Sequence, residues 1–244
     1  MEMSTGQPTP QPSMSAMERI LGTFTKPRAV FEAQRERPNW IAPFLVLLIL
    51  SLVAAYFIFP IATAEQIARI EDNENIPAEQ KERMLEQLEG GSGPSRLPLS
   101  LGGVVLGSFV VLLAVSAVLL FGANFLLGGS LRFPHGMALY ATANLVELPG
   151  VIVKLPLMIA KKTAAITIGP AAFLSSEAAE SVGGLLLARL DLFGLWRWAL
   201  LTLGLAVMAR TTVKRAASFT VPLWLFWSFA AIVIHEMTQG LAGF

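Results

Sequence analysis

Residues 40–61 read WIAPFLVLLILSLVAAYFIFPI and contain no charged side chain. A helix rises about 1.5 Å per residue, so about 20 such residues cross a hydrocarbon layer about 30 Å thick. Trp40 and Tyr56 suit the aromatic belts at the two bilayer faces. Further apolar stretches follow at 99–127, 137–159, 192–208 and 219–234. The alternating segments of about 10 residues that mark a membrane β-barrel are absent. The composition agrees: 54% of the 244 residues are hydrophobic and 14% charged, against about 25% charged in a soluble domain. The sequence therefore predicts an all-α membrane protein, a bundle of five transmembrane helices forming one domain over 17–244.

The polar stretches organise the rest. Residues 1–16, rich in Pro, Ser, Thr and Gln, read as a disordered tail, lacking the basic start and apolar run of a signal peptide. Over 17–37, Ile20, Leu21, Phe24, Val30 and Phe31 alternate with Arg19, Lys26, Arg28, Arg35 and Arg37. That pattern predicts a surface-lying N-terminal helix, interrupted at Lys26 and restarted at Pro27. Between the first two spans, 62–98 carries Glu71, Asp72, Glu74, Glu79, Glu82, Glu86 and Glu89. Its second half, from Pro77 to the stop at Gly90 and Gly91, predicts an acidic extramembrane helix. Residues 160–191 hold apolar runs too short to span and broken at Gly169 and Pro170. They read as re-entrant or surface-lying, with a capped helix start at Ser175 or Ser176.

Arg19, Lys26, Arg28, Arg35, Arg37, Arg132, Arg210, Lys214 and Arg215 all fall on one side of a five-span bundle. The positive-inside rule makes that side cytoplasmic, with the N-terminus inside and Phe244 outside. Lys26, Arg28, Arg35, Arg37, Arg210, Lys214 and Arg215 are candidate contacts for anionic lipid headgroups, worth about 1 kcal/mol each. The same residues serve equally to fix orientation. In the second span, Gly103 and Gly107 permit close helix approach, most simply to a neighbour within the chain.

The third span is unusual in holding Asn144, Glu147, Pro149, Lys154 and Pro156. An ionisable residue inside a membrane span is a functional candidate. Asn144, one turn before Glu147, lies within bonding reach of it. Lys154 lies seven residues on, about 10 Å along a straight helix, unless Pro149 bends the helix and shortens the gap. One reading makes Asn144, Glu147 and Lys154 a polar intramembrane site. The other pairs Glu147 with a buried donor such as Asn124 and lets Lys154 snorkel outward toward Lys161 and Lys162.

Catalysis has little to build on. There is no cysteine, hence no thiolate nucleophile and no thiolate-held metal. His235 and Glu236 begin an HExxH-like string that lacks its second histidine. No catalytic residue, metal site or cofactor is expected, and nothing marks a nucleic-acid surface.

Three stretches carry a family resemblance: ILGTFTKPRAVF at 20–31, FGANFLLGGSLRFPHGMALY at 121–140 and LFGLWRWALLTLGL at 192–205. Together they resemble the Ypt-interacting protein (Yip) family in its bacterial form. The resemblance implies five spans, a cytoplasmic N-terminus and, for a bacterial member, the inner membrane. The acidic-aromatic DLYGP motif of many eukaryotic members is missing, so their binding of small GTPases does not carry over. Two functional readings follow. The first is a non-enzymatic protein organising the bilayer or a partner protein. The second is a transport component, either a small carrier or an exporter's accessory subunit, built on Asn144, Glu147 and Lys154. The expected partners are the lipid bilayer, another membrane protein or transporter subunit, and a second copy of the chain.

Overall fold

The computed structural model describes residues 14–73, 76–89, 97–164, 166, 168–175, 178 and 181–241. Helix α1 (Ala16–Thr25) begins in a reciprocal cap, in which the Glu18 N–H donates to Ser15 Oγ and the Ser15 N–H donates to Glu18 Oε2 at 2.7 Å. Of the tail expected at 1–16, residues 1–13 lie outside the described residues, while Ser15 caps α1 and Ala16 opens it. Lys26 leaves helical geometry, and Pro27 opens α2 (Pro27–Glu36) as anticipated. The chain continues through α3 (Ile41–Asp72), α4 (Ala78–Glu89), α5 (Leu97–Phe121), a π-helical turn (Gly122–Leu126), α6 (Phe133–Asn144) and α7 (Glu147–Lys161). A short 3-10 turn (Pro170–Phe173), α8 (Val182–Ala188), α9 (Leu192–Met208) and α10 (Val213–Leu241) complete it. No strand occurs among the described residues.

By length and composition, the helices at Ile41–Asp72, Pro98–Leu126 and Val213–Val233 are each able to cross a membrane. Two bent pairs, α6 with α7 and α8 with α9, bring the number to five if each pair is one span. The third span is thus broken by 43°, at Leu145 and Val146. Pro149 explains the position, because a proline has no N–H for the carbonyl four residues back and its ring crowds that oxygen. The Leu145 carbonyl is instead taken by the Leu148 N–H at 3.0 Å, in a tighter turn. The expected proline bend is present, but it lies before Glu147 and leaves Glu147 and Lys154 on one helix. In the 160–191 segment helix α8 starts at Val182, with Ser181 Oγ accepting from the Gly184 N–H. The cap contact expected at Ser175 or Ser176 is made by Ser175, whose Oγ accepts from the Ala178 N–H at 3.4 Å, and Ser181 caps a further helix start. Ser176, Glu177 and Glu180 lie outside the described residues.

The core forms where α6, α9, the start of α10 and the end of α5 meet. The N-terminal helices belong to it. Val30 and Phe31 of α2 are fully buried, and α2 packs on α9 and α6. Phe24 of α1 meets Trp196 edge to face at 5.9 Å. Phe24, Val30 and Phe31 of this hairpin thus face protein, where the sequence pattern had placed them against lipid, while Leu21 stays exposed. An amphipathic period shows that one side is buried but not what buries it.

Gly204 lets Phe31 in. A Cβ built at Gly204 would collide with Leu139 and with the Phe31 ring. Gly204→Ala is therefore expected to cost about 1–3 kcal/mol as an overpacking change, read as a lower midpoint of thermal unfolding in detergent. Gly122, in the π-helical turn, lies against the Phe219 ring in the same manner. Gly103 and Gly107 behave otherwise: a Cβ at either would meet nothing within 4 Å. Among the described residues, the within-chain packing expected of that pair does not occur.

Candidate functional site

Two polar constellations stand out, and the first includes the residues singled out in the third span. Glu147 accepts from Arg197 of α9 at 3.1 Å, and Lys154 donates to Asp191 at the start of α9 at 3.2 Å. The helices run antiparallel, so seven residues forward on α7 match six back on α9. The pairs form two rungs between them. Each group is roughly one-sixth to one-third exposed, enough desolvation for such pairs to differ from freely solvated surface pairs. Asp191 Oδ2 also accepts the Gly194 N–H as the cap of α9. Asp191 Oδ1 is buried with no donor among the described residues. These four residues line a crevice of about 250 Å³ together with Arg189 and Ile166.

This geometry corrects three sequence expectations. Asn144 turns its amide nitrogen back to the Tyr140 carbonyl at 2.7 Å rather than toward Glu147. Asn124 holds the N–H and carbonyl of Leu131, bracing the link after α5, and is not the partner of Glu147. Lys154 pairs across helices instead of reaching outward toward Lys161 and Lys162. The partners that were missed carried a signal. Arg197 is a charge inside an apolar run, the criterion that singled out Glu147, and Asp191 sits where a helix cap belongs.

The second constellation lies where the link before α6 meets the link between α9 and α10. A crevice of about 480 Å³ is lined by Arg35 of α2, Arg132 before α6, Arg210 and Arg215, with Leu127 and Met208 among its apolar walls. The two links press together: a Cβ at Gly129 would lie 2.9 Å from the Ala123 carbonyl oxygen and 3.3 Å from Ala209 Cβ. His135 spans the crevice's edge. Its Nδ1 accepts the Arg132 N–H at 3.2 Å, which leaves Nε2 to donate to the Arg35 carbonyl at 3.2 Å. Arg210 ends α9 in the left-handed conformation, at φ 54°, with the Thr211 N–H closing on the Ala206 carbonyl at 2.9 Å. Glycine is the usual residue there, and another residue costs about 1–2 kcal/mol. A neighbouring crevice of about 430 Å³ joins Arg28, Glu32, Arg35 and Arg210.

Of the seven cations proposed for lipid contact, the structure brings Arg28, Arg35, Arg210 and Arg215 into these crevices and leaves Lys26, Arg37 and Lys214 outside their linings. Arg28 is partly engaged, 3.3 Å from Glu32. Arg19, grouped with the surface cations by sequence, is buried. Its guanidinium donates to the Arg37 carbonyl at 2.8 Å and to Gln34 Oε1 at 3.1 Å, while Gln34 reaches Thr142 Oγ1 at 3.1 Å. Burial, and then the charge of Arg37, lower its pKa from the usual value, though an arginine so placed stays protonated. The chain Arg19–Gln34–Thr142 ties α1 and α2 to α6.

A family model described as Yip1 domain matches residues 21–234. No curated protein and no solved structure matches the chain at a significant level.

Proposed function

The chain belongs to the Yip1 domain family, and from that premise we propose that it is a five-span inner-membrane protein that acts without catalysis, organising the bilayer or a partner protein from its basic, cytoplasmic end. One observation carries this reading. Arginines from three segments far apart in sequence, α2, the link before α6 and the link after α9, are gathered at one end of the fold. Such a surface attracts anionic headgroups. The cross-helix pairs Glu147–Arg197 and Lys154–Asp191 serve this reading as braces of the bundle.

Mild solubilisation of the tagged protein from its native membrane, followed by mass spectrometry of what stays bound, tests it. The expected result is retained anionic lipid together with a stoichiometric membrane-protein partner. A clean homo-oligomer carrying only zwitterionic lipid would overturn it. The transport reading draws on the charged crevice at Glu147, Lys154, Asp191 and Arg197. It predicts that Glu147→Gln leaves assembly intact but abolishes a solute-dependent or proton-dependent signal in proteoliposomes.

A further inference from the structure

We propose that the crevice between the two links is a binding site for a single phosphate monoester group, borne by a phosphorylated lipid headgroup or by a small soluble phosphate. This rests on the reading of the basic end as an anion-contacting surface and narrows it to one place and one chemistry. Arg35, Arg132, Arg210 and Arg215 line the crevice, and no acidic side chain does so among the described residues. Four arginines lining one crevice concentrate positive charge there, which a dianion placed among them neutralises. Each guanidinium presents a planar fork that matches two oxygens of a phosphate, which a lysine ammonium does not.

The framework is arranged around these arginines. His135, itself buried, holds the backbone of Arg35 with one ring nitrogen and that of Arg132 with the other, so α2 and the link before α6 are kept in register. Gly129 allows the links to touch. Arg210 occupies a left-handed position that favours glycine, which the local backbone alone does not explain and a side chain needed in the crevice does. The volume of about 480 Å³ exceeds a bare phosphate and accommodates the glycerol to which it is esterified.

The test uses the full chain in neutral detergent, with native mass spectrometry during titration by dioleoyl phosphatidic acid, a monoester, and dioleoyl phosphatidylglycerol, a diester. Glycerol 3-phosphate is titrated separately by calorimetry. The site variant combines Arg132→Gln with Arg210→Gly. The control combines Lys26→Gln with Lys214→Gln, removing the same charge from outside the lining. The wild type is expected to prefer phosphatidic acid, with a loss of tenfold or more in the site variant and less than twofold in the control. Because glycine suits position 210, the Arg210→Gly single variant unfolds at or above the wild-type temperature, which separates lost binding from lost folding. Glycerol 3-phosphate binding with the same arginine dependence supports the site and assigns a soluble source; phosphatidic acid binding alone supports it and assigns lipid. Equal losses in both variants, or equal affinity for the diester, overturn the site and leave the general anionic surface standing. No anionic lipid retained by the wild type overturns both.

Discussion

Phe31→Ala is expected to lower stability by about 3–5 kcal/mol, the largest effect of any single truncation in this chain. The ring is fully buried, seated against Leu139 of α6 and the bare backbone of Gly204 in α9. Much apolar packing within a bilayer gains little from the hydrophobic effect, since lipid tails are as apolar as the side chains. Phe31 differs because it belongs to a short, charged helix outside the candidate spans. When α2 detaches, the ring meets the interface and water, and the full transfer cost applies. The measurement is thermal unfolding in detergent followed by size exclusion, with limited proteolysis of the N-terminal hairpin alongside. A fall confined to proteolytic resistance would show that α2 opens independently of the bundle. An unchanged profile in both would mean that the ring does not hold α2 in place.

The second large effect belongs to the rung nearer the break in the third span. Arg197→Leu is expected to cost about 3 kcal/mol, because it leaves Glu147 partly desolvated without its cation. Removing both charges should recover most of that loss, since no carboxylate is then left without its cation. The double variant Glu147→Gln with Arg197→Leu is thus expected to lie within about 1 kcal/mol of the wild type, with a coupling of about 2–3 kcal/mol across the cycle. Additive losses would indicate that the two side chains, 3.1 Å apart, contribute separately. The Lys154–Asp191 rung should show weaker coupling to Arg197→Leu than Glu147 does, because its partners are its own.

Much of this architecture can be read from residue order alone. The fourth stretch, 192–208, coincides with α9, because an aspartate cap precedes a run that is apolar apart from Arg197 and the end is set by a change in backbone hand at Arg210. In the third stretch Pro149 signals a bend, and its missing N–H places the failure of the hydrogen-bond ladder at the Leu145 carbonyl, before Glu147. What order alone does not reveal is the neighbour. Val30, Phe31 and Gln34 have the period of a helix resting on any apolar surface, and lipid and protein satisfy it equally. Glu147 was visible as an expensive charge, whereas Arg197 was overshadowed by the tryptophans on either side of it. The arginine crevice assembles residues about 100 and 80 positions apart, and only the meeting of two links makes them one surface.

The seating of Phe31 also fixes a timetable for making the protein. Its helix leaves the ribosome well before its partner, because the glycine it packs on is made some 170 residues later. At about 5–20 residues per second, that interval is roughly 10–35 s. During this time α2 has no native partner, and its charged, amphipathic character lets it wait at the bilayer surface. Assembly then includes a late return of α2, so a nascent chain stalled before α9 would leave that helix open to passing proteases.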